Sequence, residues 1–232
     1  MDKLHDNIQF YIDESYNANF LGVAIVVILG ETNIKITQGI LSSLSNDPVF
    51  KHRNNGSGKI HSTENNLGPK INVVDKIYQM PISTYLSYKK QDTSSLTKQE
   101  MDEIAYGELL PELLKRIATK YIKNFKDRSI IITLEFEQLS DKKEKDRLFF
   151  AECIKDLIFN FEIQVLSKKN IFTSLPDYFL TFLRNLLEEP HTNWSKNELE
   201  LVESKIGLIL DASNLQRKYY SRGDEIRNFI KA

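Results

Sequence analysis

The 232-residue sequence predicts a mixed α/β domain with helices on the faces of its sheet. Two observations predict this class. β-type runs follow one another closely in the N-terminal part, which indicates an antiparallel meander, whereas helical and strand patterns alternate later in the chain. Hydrophobic residues make up 41% of the chain and charged residues 27%, as in ordinary globular proteins. We therefore expect a single domain with a sizeable core.

Two runs near the N-terminus predict the first hairpin. Residues 7–15 alternate apolar and polar side chains with a period of two, which is typical of a strand. A turn at 16–19 leads to the apolar run 20–29, which is too short to span a bilayer and is interpreted as a buried strand. We expect a looser segment over 31–50, with one short helix near 40–44.

The rest of the chain supplies further strands and the helices. Residues 71–74 and 77–88 are rich in β-branched and aromatic side chains and predict strands broken near Pro81. The expected later elements are a long helix over 97–124 interrupted at Pro111, a strand over 130–137, a helix over 144–160 that buries Leu148 or its neighbours, a strand over 162–166, a helix from Pro176 to about 190, a short helix over 198–204 and an apolar run over 206–210.

Composition narrows the functional classes. The net charge of −1 argues against a protein that binds polyanions through its overall charge. The chain has a single cysteine, Cys153, which excludes an internal disulfide. The sequence contains no Gly-x-Ser-x-Gly motif, so serine hydrolase chemistry has no support. The polar, acidic start and the lack of a transmembrane segment predict a cytoplasmic protein without membrane contact.

The first strand runs into two adjacent acids, Asp13 and Glu14. One interpretation is a solvated turn, because Asp and Ser hydrogen-bond their own backbone there. The other is that a carboxylate held rigidly at a strand end is one ligand of a divalent metal, with further acids coming from distant parts of the chain.

Four other positions are candidates to join Asp13. Each also has a purely structural interpretation. Glu64, which follows His61, would be an exposed residue of a capped helical turn, and Glu135 and Glu137, on one face of a strand, would form ion pairs with Lys or Arg from a helix that covers the sheet. Asp177 would complete a capping box with Ser174. Taken together, the acids suit Mg²⁺ or Mn²⁺, which prefer oxygen ligands and assist phosphodiester hydrolysis.

Several short motifs in the same order resemble a family of ribonuclease-H-like proteins long catalogued as a domain of unknown function. The matching segments are Tyr11-Ile12-Asp13-Glu14-Ser15, His61-Ser62-Thr63-Glu64, the strand that ends at Glu137, Pro176-Asp177 and the tail that contains Tyr219-Tyr220-Ser221-Arg222. The family usually has Gly where this chain has Tyr16, which raises a question about the turn after Asp13.

The resemblance implies a ribonuclease-H-like sheet over residues 1–232, with 200–232 as a C-terminal extension particular to one branch of the family. It further implies a metal-dependent nuclease, with Asp13, Glu64, Glu137 and Asp177 as ligands of Mg²⁺ or Mn²⁺ and with Glu14, His61 and Glu135 in auxiliary roles. Glu137 is favoured over Glu135 because it directly precedes a polar turn. Members are often associated with mobile elements or phage defence, which would supply a protein partner.

Two basic clusters are candidates to hold nucleic acid, with DNA and RNA both open. The C-terminal cluster has Tyr side chains that would stack on bases, and the second lies on the long helix. They comprise Arg217, Lys218, Tyr219, Tyr220 and Arg222 in the first, and Lys115, Arg116, Lys120 and Lys123 in the second. A solvated helix face is the alternative for each cluster. Two alternatives to a nuclease stay open: a non-catalytic protein that binds nucleic acid or a partner protein in a defence system, and a metal-dependent nucleotide phosphohydrolase.

Overall fold

The computed structural model describes residues 7–48, 67–124, 131–158, 161–188, 201–213, 218–226 and 229. Within them, seven strands form one sheet in the order β5-β4-β1-β2-β3-β6-β7. The strands are β1 Asn7–Asn17, β2 Phe20–Leu29, β3 Ile82–Lys90, β4 Ile131–Glu137, β5 Phe161–Leu166, β6 Ile206–Asp211 and β7 Tyr219–Ser221. The α-helices are α1 Gly30–Ser45, α2 Leu67–Gln79, α3 Lys98–Glu103, α4 Leu110–Asn124, α5 Lys143–Ile154 and α6 Ser174–Glu188.

The sheet is mixed, as the sequence predicts. β1, β2 and β3 form an antiparallel meander, and β4 and β5 extend the sheet from β1 as parallel strands. On the other side β6 runs parallel to β3, and β7 pairs antiparallel with β6. The predicted mixed α/β class and the N-terminal meander are therefore confirmed, and β6 and β7 belong to the same sheet as the rest.

Helices cover both faces of the sheet, each over its own apolar core. On one face Tyr11 and Ala24 pack with α1, α2 and α6, and we call this the α6 face. On the other face Phe10 and Ile12 pack with α4, α5 and the segment before α4, and we call this the α4 face. Because side chains alternate along a strand, the residue number along β1 decides which core a side chain enters.

Close packing between α6 and β2 depends on Gly22. A Cβ atom at this position would lie 2.7 Å from Cζ of Phe20 and 3.0 Å from Cδ2 of Leu180 on α6. Real Cβ atoms do not tolerate the shorter of these distances, so the absence of a side chain lets α6 approach the sheet. The helix therefore lies directly over the β1–β2 hairpin.

Two segments differ from the sequence-based expectation because their helical patterns are masked by polar or β-branched residues. Residues 30–45 form one helix instead of a loose segment, although Leu41 and Leu44 are its only buried large apolar side chains. Residues 67–79 form α2 instead of a strand. Val73, Val74, Ile77 and Met80 are buried at helical spacing, so the β-branched residues face a core from a helix.

The predicted long helix over 97–124 is present but interrupted. Thr97 and Glu100 form the reciprocal capping box that starts α3. A π-helical segment, Ile104–Leu109, then precedes α4, in which Pro111 occupies the first turn. The interruption at Pro111 is confirmed, because proline suits a first turn but not a helix interior. Within α5, however, Leu148 is 61% exposed, and its neighbours Phe150 and Ile154 are the buried apolar residues.

No helix in the described ranges is long and apolar enough to cross a membrane.

Candidate carboxylate site at the sheet edge

The sequence predicts Asp13 at the end of the first strand. In the structure Asp13 lies within β1, because the strand continues to Asn17. The neighbouring parallel strand β4 stops at Glu137. Tyr11 is aligned with Glu135 and Ile12 with Phe136, so Asp13 and Glu137 are the next residues along the two strands. Asp13 is buried, and its Oδ1 accepts a hydrogen bond from the backbone N–H of Glu14 at 3.1 Å.

Tyr16 presents no difficulty for the chain after Asp13. It belongs to β1 and pairs with Leu21 of β2, so the turn falls at Ala18 and Asn19. Among the described glycines, Gly30 and Gly223 have a positive φ, and neither belongs to this turn. The continued strand removes the need for a glycine at position 16.

Glu135 and Glu137 share the α6 face with Asp13. Their neighbours Leu134 and Phe136 point into the opposite core, which fixes the direction of both acids. Glu135 is 6% exposed, and this burial raises its pKa to about 7, with a smaller contribution from the negative charge of Glu162. Glu137 is only half-buried, so it is the more accessible of the two.

Asp177 lies in the first turn of α6, as the sequence predicts. Its helical stripe also contains Thr181, Arg184 and Glu188, which the sequence places on one polar face. Thr181 is buried, and Glu188 Oε1 accepts a hydrogen bond from Nδ2 of Asn17 at 2.5 Å. This polar stripe therefore runs along β1, with Thr181 buried against the sheet and Glu188 exposed to solvent.

Contacts at the two ends of α6 fix its position along β1. Just before the helix, the ring of Phe172 stacks on Tyr11 with centroids 4.6 Å apart and planes 10° apart. At its last residue the helix reaches Asn17 through Glu188. α6 therefore runs along β1 from Tyr11 to Asn17, and its first turn, which carries Asp177, lies over the part of β1 that contains Asp13.

The start of α6 differs in one respect from the predicted capping box. The helix is entered through a 3₁₀ turn, Ile171–Thr173, whose cap is the side chain of Asn170 accepting the N–H of Phe172 at 2.9 Å. Ser174 is buried inside the helix instead of preceding it. Asp177 therefore does not take the place that a capping box beginning at Ser174 would give it.

The structure thus brings Asp13, Glu135, Glu137 and Asp177 to one face of the sheet, at the end where β4 stops. Glu64 and His61 lie outside the described residues. Within the described part of the chain, no three His, Cys, Asp or Glu side chains are close enough together to hold one metal ion.

Glu14 points to the opposite face. It accepts a hydrogen bond from the hydroxyl of Tyr106, a fully buried residue of the π-helical segment that packs in the core of the α4 face. Burial, with the charge of Glu14 next in importance, raises the pKa of Tyr106 well above its usual value, so the hydroxyl remains a donor. Glu14 therefore lies apart from the face that carries Asp13.

Two buried acids on the α4 face were missed by the sequence reasoning. Asp146 is buried, and its Oδ2 accepts the backbone N–H groups of Leu139 and Ser140 at 2.9 and 3.0 Å. Burial raises the pKa of Asp102 to about 6, the charge of Glu14 contributes next, and an ion pair with Lys98 at 3.7 Å opposes the shift. The signal was available, because Asp102 continues the apolar stripe of Ala105 and Leu109 by one turn.

The C-terminal residues proposed to hold nucleic acid divide into two groups. Tyr219 is 58% exposed and Arg222 is exposed. Tyr220 is 2% exposed and its hydroxyl donates to Glu203, so its ring is unable to stack on a base. Lys218 is directed inward, since its Nζ donates to the carbonyl of Phe229. Arg217 lies outside the described residues.

Together the fold and site define a mixed α/β domain with a carboxylate-bearing edge. No family model and no curated protein matches the chain. Among solved structures, a chain of the complex between PCNA and RNase HII from Archaeoglobus fulgidus is similar, with 12% sequence identity and a TM-score of 0.40 over 84% of this chain and 88% of that chain. A likeness at this level does not establish a shared fold or activity.

Proposed function

We propose that the protein is a ribonuclease-H-like nuclease that hydrolyses phosphodiester bonds in nucleic acid with the help of Mg²⁺ or Mn²⁺. The observation that carries the proposal is the alignment of β1 and β4, which sets Asp13 beside Glu137 on the face covered by the first turn of α6. Carboxylates from three separate parts of the chain lie on this one face of the sheet, although within the described residues no three of them are close enough to hold one ion. A structural ion pair or a solvated turn does not require acids from separate elements to share a face.

The sheet supports the ribonuclease-H-like assignment. The resemblance predicts a mixed sheet with an N-terminal antiparallel meander, and β1–β3 form such a meander. β4 and β5 then continue from β1 in parallel, so the acids of β1 and β4 come together at one edge. In an α/β sheet this edge is where rigid strands hold functional groups next to open space.

The donor set suits a hard divalent cation. Asp13, Glu137 and Asp177 offer carboxylate oxygens, which Mg²⁺ and Mn²⁺ prefer, and we propose Glu64 as a further ligand. When bound, such ions supply an activated water molecule and stabilise the leaving oxygen. The buried position of Asp13 and its bond from the N–H of Glu14 hold that carboxylate in one orientation.

Glu135 is proposed as an auxiliary group and not as a ligand. Its pKa of about 7 means that its carboxyl group exchanges a proton near neutral pH. It lies two residues before Glu137 on β4 and on the same face of the sheet, so it would hold a proton next to the carboxylates of Asp13 and Glu137. We propose His61 for a similar auxiliary role. Glu14 is left out, since it lies on the opposite face.

The test is cleavage of labelled oligonucleotides. Wild-type protein, Asp13→Asn, Glu137→Gln and Asp177→Asn are incubated with single-stranded and duplex DNA, single-stranded RNA and an RNA–DNA hybrid in Mg²⁺, in Mn²⁺ and in EDTA. The matched control is Asp75→Asn, which makes the same change at an exposed position on α2.

We expect metal-dependent cleavage by the wild type and by Asp75→Asn, and a loss of at least about 100-fold in rate for each site variant, because each removes a carboxylate charge from the site. Cleavage by Asp13→Asn at the wild-type rate would contradict the proposal. Release of phosphate from free nucleotides, with intact oligonucleotides, would instead indicate a phosphohydrolase.

A further inference from the structure

Members of the two basic clusters that are far apart in the sequence meet in one groove. The groove lies on the α4 face, between α4 and the strands β6 and β7, and encloses about 490 Å³. Its walls include Lys115, Arg116 and Lys120 of α4 and Tyr219 of β7. No acidic residue lines this cavity within the described part of the chain. The groove therefore concentrates positive charge on a protein whose overall charge is close to zero.

The floor of the groove contains a glycine that packs closely against an aromatic ring. Gly207 of β6 lies against the ring of Tyr85, and a Cβ atom at position 207 would be 2.6 Å from Cε1 of that ring. Only glycine allows this approach, so no side chain rises from position 207, and Leu208 is the side chain of β6 that lines the groove.

Lys120 is held at the wall of the groove. Its Nζ donates to the hydroxyl of Tyr85 at 3.2 Å and lies 5.6 Å from the centre of the Tyr85 ring. The Tyr85 hydroxyl is in turn bonded to that of Tyr121 at 2.8 Å. An ammonium group has three protons, so one hydrogen bond to Tyr85 positions Lys120 and leaves donors for a ligand.

Tyr219 provides an exposed ring beside these cations. It is 58% exposed, whereas the next residue along the strand, Tyr220, is buried in the core of the α6 face. A large aromatic ring that stays in solvent next to a cluster of cations is suited to stack on a base whose phosphates contact the lysines.

The groove continues along α4. A second cavity of about 550 Å³ shares Arg116 with the first and extends past Leu109. In this second cavity the cations are paired, Arg116 with Glu112 at 3.1 Å and Lys89 with Glu108 at 3.5 Å, and Asp211 adds a further negative charge. The strongest positive charge is thus at the end that contains Lys115, Lys120 and Tyr219.

We infer that this groove binds a single-stranded segment of nucleic acid, with phosphates at Lys115 and Lys120 and an unpaired base on Tyr219. The inference rests on the proposed function for its choice of ligand. It goes beyond that function because α4 covers the face opposite to Asp13. The groove is therefore a separate nucleic-acid-binding surface and not part of the carboxylate site.

The experiment measures binding without cleavage. Fluorescence anisotropy in EDTA follows labelled single-stranded DNA and RNA of ten nucleotides and a duplex of the same sequence. The variants are Lys115→Gln, Tyr219→Ala and Tyr219→Phe. The matched control is Lys35→Gln, at an exposed lysine of α1.

We expect the Kd for single strands to rise about tenfold in Tyr219→Ala and to stay unchanged in Tyr219→Phe, since phenylalanine keeps the ring. Lys115→Gln should raise the Kd severalfold and reduce the slope of log K against log salt by about 0.7, the value for one lost phosphate contact with a single strand. Lys35→Gln should behave like the wild type.

The inference is overturned if the wild type does not bind single strands in EDTA, if Tyr219→Ala binds like the wild type, or if the duplex binds more tightly than the single strand. These outcomes are separate from a failure of the nuclease proposal. A wild type that binds single strands through the groove in EDTA but never cleaves them in Mg²⁺ or Mn²⁺ would refute only the proposed activity.

Discussion

Replacing Tyr106 with phenylalanine removes one hydroxyl group from the interior and leaves the aromatic packing in place. The ring of Tyr106 contacts Phe150, with centroids 4.9 Å apart, and Phe136, with centroids 6.0 Å apart. The lost group is the donor that holds the carboxylate of Glu14 on the α4 face. The substitution therefore tests how firmly the chain around Asp13 is fixed to one face of the sheet.

The magnitude follows from the burial of the two partners. Hydrogen bonds to charged groups contribute about 1.5–3 kcal/mol. Glu14 is half-buried, so water replaces part of the lost interaction, and we expect Tyr106→Phe to cost about 2 kcal/mol in the free energy of unfolding. Glu14→Gln keeps an acceptor and should cost about 1 kcal/mol. The coupling energy between the two positions should be about 1–1.5 kcal/mol.

Urea denaturation of the wild type, the two single variants and the double variant yields this coupling energy, provided that the m-value is unchanged. The control is Tyr78→Phe, which deletes a hydroxyl at an exposed ring and should change stability by less than about 0.5 kcal/mol. A coupling energy below about 0.3 kcal/mol would refute the reasoning, because Tyr106 and Glu14 would then contribute independently.

Three further predictions concern single positions. Because burial raises the pKa of Glu135 from 4.5 to about 7, the folded protein retains a proton that the unfolded chain releases. Stability should therefore fall as the pH rises from about 4.5 to about 7, and Glu135→Gln should be more stable than the wild type above this window by on the order of 2 kcal/mol in pH-dependent denaturation in EDTA. Gly22→Ala should lower stability by about 1–3 kcal/mol through its clash with Phe20, and equal melting temperatures would contradict the packing of α6. Thr97→Ala should cost about 1 kcal/mol, while Thr97→Ser should cost little.

Most of the sheet was predictable because its strands have clear local patterns. The alternation of residues 7–15 and the apolar run 20–29 each correspond to a strand of the meander. α1 and α2 were not predictable in the same way. α1 is covered by few apolar side chains, and α2 buries valines and isoleucine that favour strands when no tertiary contact is known.

The carboxylate edge was predictable in its members but not in its geometry. The sequence singles out Asp13 and Glu137 as acids on strands, but only the parallel pairing of β1 with β4 shows that they are adjacent. The direction of Glu14 depends on Tyr106, which is 92 residues away in the chain. Likewise, the burial of Tyr220 depends on which face of β7 meets the core.

Calorimetric titration with Mn²⁺ tests the carboxylate site most directly. Wild-type protein, Asp13→Asn and the control Asp75→Asn are titrated alone and in the presence of a non-hydrolysable phosphorothioate oligonucleotide, with circular dichroism to confirm that all three are folded. The account predicts Mn²⁺ binding by the wild type and by Asp75→Asn, and a loss of at least tenfold in affinity for Asp13→Asn. Equal behaviour of the wild type and Asp13→Asn under both conditions, whether both bind or neither does, would contradict the proposal that Asp13 holds a metal ion.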